Sequence, residues 1–561
     1  MLQGISMAAG AVLLFWLLRD APYTSDEWLL MTRAQGWDLG GIFEPWNGHL
    51  LAVGQLLARL SIHLFGPDYG LLIAFDIVGV LALSALVYVF ARRRIDPILA
   101  VVPAMVPLFY AGASAFYGAG IQLTPLMGIN GVYSLAFGLA ALLLLERERR
   151  KEDIAAALML GLSLASFSYG LAFAVGCGVA VGLSPNWRRR AWAVAVPLGL
   201  YCLWRLFATF HWDAEAGAIT VEHVLLSPFY FADAFSASVA GYFGLAQMIG
   251  RGPAIEYLVG AHLFESLSLP IFLVVTQLAL FVWVGRRLGR EGLMRASIWP
   301  PIATLVAMWG SQALVMDTTA RMPGDTRYLF AGAVLIAVAA SELARNARVS
   351  RFAIWVVLAI AIAGAFANLP RFREAKQSND VILAKSRVVG AVFEIGGDSV
   401  DPDYNPAVEF PELGGPMFIP AGAFQDFAER NGSLATLSAT ELLGQSPELR
   451  ADADRLLADS TGLRLRPAAA PPRRATCLPI SAGATLSPSP GLYWLSSPSE
   501  AGVGMSRFAY DPSVTDEPMV ELGTVSNRGW RILRVPRDEL PENLWHLGSS
   551  GPGPLRACFQ P

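Results

Sequence analysis

The stretch from Arg19 to His49 reads RDAPYTSDEWLLMTRAQGWDLGGIFEPWNGH, and it directly follows a short apolar run at the N-terminus. A loop that joins two membrane spans needs only a few turn residues. This stretch is far longer, and acidic residues are interleaved with tryptophans along it. Long loops on a rigid scaffold often carry function. We therefore expect it to contribute the centre of the protein's activity.

The composition predicts an integral membrane protein. The chain has 561 residues, of which 54% are hydrophobic and 16% are charged. A soluble domain has about a quarter charged residues, and several apolar runs here reach the roughly twenty residues that a span requires. The net charge of −3 argues against a general nucleic-acid binder.

Five basic clusters set the expected topology, because cytoplasmic loops are enriched in Arg and Lys. They lie at 92–94, 147–151, 188–190, 286–295 and 345–351. Placing all five inside predicts about nine spans, a cytoplasmic N-terminus, a retained first span, and an extracytoplasmic chain after residue 370. The predicted spans are 5–19, 70–91, 97–115, 127–145, 190–207, 268–288, 298–316, 328–344 and 352–369.

Three segments do not fit the pattern of full membrane spans. Residues 153–184 are too short for two full spans, so we predict two short helices that meet near Ser168-Tyr169-Gly170. Residues 208–266 are predicted to lie outside as a second long segment. In residues 49–65, Gln55, Arg59 and His63 recur every four positions, which favours an amphipathic helix along the interface. The alternative is a true span with Arg59 facing the helix bundle.

The composition changes after residue 370. We divide the chain into a transmembrane domain (1–370), an extracytoplasmic mixed or helical segment (371–465) and a small β-sandwich (466–561). The boundary follows the linker RPAAAPPRR, and short alternating strands separated by Gly, Pro and Ser turns follow it. Cys477 and Cys558 bracket this last domain, and outside the cell they are expected to form a disulfide.

The acidic pair Asp26-Glu27 is the first candidate for chemistry. Adjacent residues point in different directions on a helix, so only one of them need face a reacting group. The other is then free to bind a cation or to cap the following helix. The structural alternative is a capped helix with a solvated acid pair. The sequence contains no zinc motif of the form H-E-x-x-H, no P-loop and no G-x-G-x-x-G.

A second candidate is the late loop that carries Arg321 and Arg327 beside Asp325 and Tyr328. The planar guanidinium group suits a phosphate, so at a membrane boundary it would meet the phosphate of a lipid-linked substrate. The alternative is that Arg and Tyr simply mark the interface. His49, within Trp-Asn-Gly-His, is a further candidate, and the alternative for it is a purely structural role. Arg205 is an ionisable residue within an apolar run, and such residues are usually functional or paired.

The layout resembles the GT-C superfamily of polyprenyl-phosphate-sugar-dependent glycosyltransferases, including bacterial mannosyl-, arabinofuranosyl- and aminoarabinose-transferase-like members. The resemblance rests on Ser25-Asp26-Glu27-Trp28 in the first external loop, on the W-N-G-H stretch at 46–49, on Arg327-Tyr328 at the start of a span, and on a C-terminal domain outside the membrane. It implies a polytopic α-helical fold with juxtamembrane helices in the first external loop.

The resemblance also implies roles for residues. Asp26, with Glu27 as its neighbour, would be the base that activates an acceptor hydroxyl, and the pair would hold Mg²⁺ or Mn²⁺ if a divalent cation is used. Residues 116–125 lack the acids that some relatives carry there. The donor phosphate would be bound by Arg321, Arg327 and Tyr328. Substrate would be bound by Trp46, Asn47, His49 and Asp325.

These observations together predict a glycosyltransferase of the bacterial inner membrane. It would move a hexosyl or pentosyl group from a polyprenyl phosphate to an extracytoplasmic glycan or glycolipid, and its β-sandwich would bind carbohydrate. Two alternatives from other classes are a lipid-linked glycan transporter or flippase, and a non-catalytic scaffold that binds envelope polysaccharide. A transporter predicts charged residues along the full depth of the bundle, and a scaffold predicts that Asp26→Asn is tolerated.

Overall fold

A computed structural model describes most of the chain. The described residues are 1–20, 25–111, 125–212, 219–245, 295–316, 321–345, 347, 349–406, 419–432, 436–481, 484–511, 519–527, 529–538, 540, 545–549 and 554–560. The side chains of 25–26, 125–127 and 326–327 lie outside this description. The predicted span at 268–288 and the acid-poor stretch 116–124 also lie outside it.

The chain divides into two compact units. The first comprises Met1–Ala21 and Gly36–Asp380, and the second comprises Pro22–Gln35 and Val381–Pro561. The second unit therefore includes a short segment near the N-terminus as well as the whole C-terminal region. This segment carries the acidic pair, so the boundary of the helical unit does not follow the chain continuously from residue 1.

The helices of the first unit are mostly apolar. In chain order, the helices of the described chain are α1 (Leu2–Leu18), α2 (Ser25–Arg33), α3 (Leu39–Phe43), α4 (Ala52–Phe65), α5 (Gly70–Arg92), α6 (Val101–Phe109), α7 (Pro125–Leu145), α8 (Arg150–Ser166), α9 (Tyr169–Gly182), α10 (Trp187–Arg190), α11 (Trp192–His211), α12 (Val221–Tyr242), α13 (Trp299–Ala313), α14 (Thr326–Leu343), α15 (Arg351–Ala367), α16 (Leu369–Gly396), α17 (Ala421–Asn431), α18 (Ala439–Leu443) and α19 (Pro447–Ser460). Helix α2 and those from α17 onward belong to the second unit.

Five helical segments of the described chain are long and apolar enough to cross a membrane. They are Gly70–Arg92, Gly128–Leu145, Trp192–His211, Val221–Tyr242 and Arg351–Ser399. Shorter apolar helices accompany them, among them α1, α4 and α9. This supports the prediction of a membrane protein, whereas the predicted number of spans stays a prediction.

The short hairpin predicted at 153–184 is present as α8 and α9, which meet at Phe167. Phe167 has an extended backbone, so the helix ends there and leaves carbonyl groups without helical partners. The hydroxyl of Ser134 on α7 donates to the carbonyls of Ser163 (2.9 Å) and Phe167 (3.1 Å), and the hydroxyl of Ser163 donates to the carbonyl of Ser134 (2.7 Å). These bonds satisfy the backbone at the break.

Helix α12 differs from the prediction of a long external segment over 208–266. It is a 22-residue helix, and its buried polar residues Asp233 and Ser238 interrupt the apolar run that sequence inspection looks for. Their side chains face the protein, where a buried helix face tolerates polar groups. Polar groups on the inner side therefore lower the hydropathy of the segment, which explains why the sequence does not predict a span there.

The described residues of the basic clusters lie at one end of the helical unit, with Arg295 representing the cluster at 286–295. Arg94 binds both Glu146 and Glu342, and Arg345 donates to Glu342 (2.9 Å). Arg190 donates to Asp153 (2.8 Å) and to the carbonyl of Leu145 (2.6 Å). Arg295 donates to the carbonyl of Arg345 (3.2 Å), and α15 begins a few residues later along the chain. The predicted topology requires the basic clusters on the same side, and the contacts of the described residues agree with it.

Helix α4 contradicts the predicted interfacial arrangement in one respect. Two of the three residues of its polar stripe, Gln55 and Arg59, are buried, whereas His63 is exposed. Leu56 and Leu64 are also exposed. The side-chain arrangement is therefore that of the alternative, in which Arg59 faces the bundle. The helix has 14 residues, fewer than a full span needs.

The second unit combines helices with two antiparallel sheets. The strands are β1 (Arg466–Ala468), β2 (Thr476–Ile480), β3 (Thr485–Leu486), β4 (Gly491–Ser496), β5 (Ala501–Ser506), β6 (Val520–Val525), β7 (Trp530–Val535), β8 (His546–Ser549) and β9 (Leu555–Phe559). Their orders are β1-β7-β4-β9-β2 and β3-β8-β5-β6. The sequence predicted this β region and its start near residue 466.

Local sequence explains the helices of this unit. Ser446 caps α19 through a bond from the amide of Leu449 (3.4 Å), and Pro447 occupies the first turn. Ser at the N-cap followed by Pro is a strong helix start signal.

Cys477 and Cys558 form a disulfide and lie opposite each other on β2 and β9.

Candidate active site

The acidic pair lies in the first turn of α2, where the helix dipole favours carboxylates. Glu27 is fully buried, and Trp28 is 3% exposed. The ring of Trp28 packs against that of Phe424 on α17, with 5.5 Å between centroids. Helix α2 is thus fixed within the second unit by its own aromatic residue. The side chain of Asp26 lies outside the described part.

Residues 36–43 are organised by a buried arginine. The guanidinium of Arg59 donates to the carbonyl of Gly36 (2.6 Å) and to the side-chain oxygen of Gln55 (2.7 Å), and it lies 3.9 Å from a carboxylate oxygen of Asp38. Asp38 in turn caps α3 by accepting from the amide of Gly41 (2.5 Å). The first half of the polar loop in this unit is therefore fastened to α4.

The predicted substrate-binding stretch Trp46–His49 is a tight hairpin. The amide of Trp46 donates to the carbonyl of His49 (2.9 Å), and the amide of His49 donates to the carbonyl of Trp46 (2.7 Å). Asn47 and Gly48 both have positive φ, 46° and 76°. This is the pattern of a type I′ turn, for which Asn-Gly is the preferred pair. The dipeptide itself is the sequence signal for the turn.

This hairpin is attached to the helical bundle at two places. The ring of His49 lies against that of Phe167, with 4.5 Å between centroids, at the break between α8 and α9. On α11, Arg205 donates to the carbonyl of Gly48 (3.4 Å), and the indole of Trp204 donates to the carbonyl of Phe43 (2.8 Å). The break and the end of α11 therefore position the loop.

Trp204 and Phe167 were not among the candidates from the sequence. Arg205 was singled out only as an ionisable residue in an apolar run, and the structure gives it the carbonyl of Gly48 as a partner. Phe167 carries a weak signal, because it directly precedes the predicted meeting point of the two short helices. Nothing in the local sequence distinguishes Trp204 from the other tryptophans of the chain.

The late loop places its candidates around the start of α14. Asp325 precedes that helix, and its carboxylate accepts from the amide of Met322 (3.0 Å). Arg321 is half-buried and donates to the carbonyl of Val315 (3.4 Å), and Tyr328 is buried. The side chain of Arg327 lies outside the description. Asp325 thus has a structural role in the turn.

An apolar groove adjoins the anchored loop in the first unit. Its volume is about 520 Å³, and it lies between α8 and α11. Phe43, Leu50 and Trp204, which belong to the loop or hold it, form one end of the lining. The remaining lining is aliphatic or aromatic, and it includes Ile154, Leu158, Leu162, Trp192, Val196, Leu200 and Tyr201.

The candidates fall into the two compact units. Trp46, Asn47, His49 and the stretch Arg321–Tyr328 belong to the first unit, whereas Asp26 and Glu27 belong to the second. Among the described side chains, no group of three or more His, Cys, Asp or Glu residues is arranged to hold a metal ion. A pair of carboxylates alone fits a Mg²⁺ ion only when substrate phosphate supplies further oxygens.

Comparisons with known proteins add a distant likeness in structure. No family model and no curated protein matches the sequence. The oligosaccharyltransferase of Archaeoglobus fulgidus, tethered with an acceptor peptide containing the NVT sequon via a disulfide bond, is 13% identical, with a TM-score of 0.38 over 74% of this chain and 59% of that one. Its apo form is 12% identical, with a TM-score of 0.35 over 95% and 76%. This chain therefore spans well under two thirds of the first of these structures.

Proposed function

We propose that this chain is a GT-C type glycosyltransferase that moves a sugar from a polyprenyl-phosphate donor to an extracytoplasmic glycan or glycolipid. The observation that carries the proposal is the apolar groove of about 520 Å³ beside the anchored loop that contains Trp46–His49. A groove of this kind suits an isoprenoid chain, and the polar hairpin at its end suits the attached sugar phosphate.

The reaction needs few protein groups. The acceptor oxygen forms a bond to the anomeric carbon while the bond between that carbon and the phosphate oxygen breaks. A carboxylate takes the proton of the acceptor hydroxyl as attack proceeds. The leaving polyprenyl phosphate is a weak base and needs charge stabilisation rather than a proton, which Arg321 or Arg327 would supply. We assign Tyr328 to the same phosphate.

Of the two acids, we assign proton transfer to Asp26. Glu27 is fully buried and shares its helix turn with Trp28, which packs in the interior of the second unit. A carboxylate enclosed in this way has no open path to an acceptor. Adjacent positions on a helix point in different directions, so we assign the two acids different roles. Glu27 would then position α2.

Because Glu27 is enclosed, the proposal keeps only Asp26 as the optional partner of a divalent cation. It would offset charge on the donor phosphate. The sequence pattern of the first loop motivates it, and treatment of the purified protein with a chelator, followed by addition of Mg²⁺ or Mn²⁺, would decide the point. Activity that is unchanged after chelation would remove the cation from the proposal.

The test is sugar transfer by the purified full chain with a panel of synthetic polyprenyl-phosphate sugars and extracted envelope glycan. Asp26→Asn should abolish transfer, while Glu27→Gln should lower both stability and transfer. Asp68→Asn is the matched control, since Asp68 is an exposed acid that only caps α5 at Gly70. If no donor is consumed, or if Asp26→Asn works like the wild type, the proposal fails.

A second candidate function is transport of a lipid-linked glycan without chemistry. Asp233 favours it, because this acid is 1% exposed in the middle of α12, which is long enough to cross a membrane. A transporter requires polar groups at depth, whereas a transferase does not. Movement of a labelled lipid-linked sugar across proteoliposomes, without a change of its linkage, would support this alternative.

A further inference from the structure

The five-stranded sheet of the second unit has two faces of different character. Along β4, Tyr493 and Leu495 are buried, and along β7, Leu533 and Val535 are buried. The alternate residues of these strands point to the opposite, outer face. Outer faces of antiparallel sheets are usually polar. This one instead carries Leu492, Trp494, Trp530 and Ile532.

The strand register shows that these residues form one continuous surface. Arg466, Ile532, Trp494, Cys558 and Cys477 lie in a single row across all five strands. The disulfide thus closes one end of the row, and an exposed arginine lies at the other. Directly opposite residues across strands are about 5 Å apart, so neighbours in the row are within contact distance of each other. Cys558 within the row is fully buried, so the accessible part runs from Arg466 to Trp494.

A neighbouring row extends the surface. Arg556 lies opposite Ser496 on β4, and its guanidinium carbon lies 6.0 Å from the centroid of the Trp530 ring. The small side chain of Ser496 leaves this approach open. One tryptophan is therefore paired with a cation, and the other, Trp494, lies in the adjacent row next to the disulfide.

The charged residues of this sheet are all basic. Its five strands contain four arginines and no Asp or Glu. Arg466, Arg534 and Arg556 are on the outer face and exposed. A surface that combines exposed guanidinium groups with half-buried indole rings is complementary to a partner that has both rings and negative charge. Arginine binds carboxylates and phosphates in a bidentate manner, and indole rings offer flat apolar contact.

We propose that this outer face, the Trp494–Arg556 surface, binds an acidic glycan through carboxylate or phosphate groups on its sugars. The tryptophans would stack on sugar rings, and Arg466, Arg534 and Arg556 would bind the anionic groups. This deepens the proposed function, since it names an acidic envelope glycan as the acceptor class. Binding is nevertheless measurable without transfer, and it does not depend on Asp26.

The experiment measures binding of polygalacturonate, a polymer of sugar acids, to the purified full chain. Dextran serves as the neutral polymer, and vesicles with anionic lipid serve as the membrane alternative. We expect saturable binding of polygalacturonate that weakens as salt is raised, and no binding of dextran. Quenching of tryptophan fluorescence on addition of the polymer would report contact with the indole rings.

Two variants and one control localise the binding. Trp494→Ala and Arg556→Gln should each weaken binding by roughly tenfold or more. The control, Arg473→Gln with Arg474→Gln, removes two exposed charges from the linker outside the sheet, and it should change binding less than about threefold. Because Arg556 is exposed, its replacement should leave the fold intact even if Trp494→Ala does not.

Four outcomes would overturn the proposal. They are absence of polygalacturonate binding, equal binding by wild type and Arg556→Gln, an equal loss in the linker control, and binding only to anionic vesicles. The last outcome would assign the surface to the membrane. Asp26→Asn should bind the polymer like the wild type, so a failure of the catalytic proposal and a failure of this one are distinguishable.

Discussion

Arg59 is a buried cation that donates hydrogen bonds to two neutral oxygens. It is 1% exposed, and it donates to the carbonyl of Gly36 and the amide oxygen of Gln55, with Asp38 further away. A buried charge is tolerated when its donors are satisfied. Arg59 therefore connects α4 to the start of the anchored loop through the carbonyl of Gly36.

We expect Arg59→Ala to destabilise the helical unit by about 2–4 kcal/mol, because it leaves the Gly36 carbonyl and the Gln55 amide oxygen without their donor and removes buried volume. Arg59→Lys should recover only part of this, since one ammonium does not reproduce the planar fork. Thermal unfolding of the purified protein in detergent measures both. A melting temperature of Arg59→Ala equal to that of the wild type would contradict this role.

Asp454 is a second buried charge, in the C-terminal unit. Its carboxylate accepts from the amides of Arg507 (2.8 Å), Phe508 (2.8 Å) and Ala509 (3.0 Å). These bonds attach α19 to the turn that follows β5. Burial raises the pKa of Asp454 to about 6, and the three amide donors, which favour the carboxylate, offset only part of that effect.

The raised pKa predicts a sign for the pH dependence. Between about pH 4 and 6 the folded state binds more protons at Asp454 than the unfolded state, so its contribution to stability falls as pH rises through this window and is constant above it. Asp454→Asn lacks this dependence. The difference in unfolding free energy between wild type and Asp454→Asn should therefore fall from pH 4 to 6 and then level off. A difference that rises over this range would contradict the assignment.

At the scale of elements, the hairpin of α8 and α9 depends on a close backbone approach. A Cβ atom added to Gly170 would lie 2.5 Å from the backbone nitrogen of Leu164 and 2.6 Å from its Cα. Backbone atoms cannot move aside as flexible side chains do. The same hairpin presents Phe167 to His49, so its geometry controls the position of the candidate loop.

We expect Gly170→Ala to destabilise the protein by about 1–3 kcal/mol, because the added methyl group overpacks the break. Gly178→Ala is the matched control in the same helix, since a Cβ atom there meets nothing within 4 Å. It should be neutral or stabilising by up to about 1 kcal/mol, owing to the higher helix propensity of Ala. Thermal unfolding compares the two, and equal effects would exclude the steric explanation.

At the scale of the whole molecule, the two compact units are not consecutive in sequence. The segment Pro22–Gln35, which carries the acidic pair, belongs with Val381–Pro561. In the sequence, this segment lies between α1 and α3, which both belong to the other unit. The C-terminal region therefore forms one compact unit with the segment that carries the predicted base.

The disulfide of the second unit should matter to its stability. Cys477 and Cys558 are 81 residues apart in sequence, and closing a loop of that size stabilises by about 4–5 kcal/mol in the chain-entropy model. Cys477→Ser should lower the unfolding free energy of this unit by an amount of that order. Cys202→Ser, at an exposed free cysteine, is the control. Denaturant unfolding that is insensitive to reductant would contradict this expectation.

Local pattern was sufficient wherever a structural element satisfies its own backbone. Apolar runs predicted most of the helices, the shortness of 153–184 predicted the hairpin, and alternating strands predicted the β region. Asn47-Gly48 is also a local turn signal. In each case the residues that decide the conformation are neighbours in sequence, because helix period, turn chemistry and strand alternation are local properties.

Only the tertiary structure shows which face of each helix is buried and which residues cover it. A period of 3.6 places Gln55 and Arg59 on one stripe of α4, but their burial involves contacts to residues outside the helix, such as that of Arg59 with the carbonyl of Gly36. Similarly, the polar residues Asp233 and Ser238 of α12 are buried, and the ring of Trp28 packs against that of Phe424. Periodicity specifies the residues that share a face, whereas burial depends on contacts between segments that are distant in sequence.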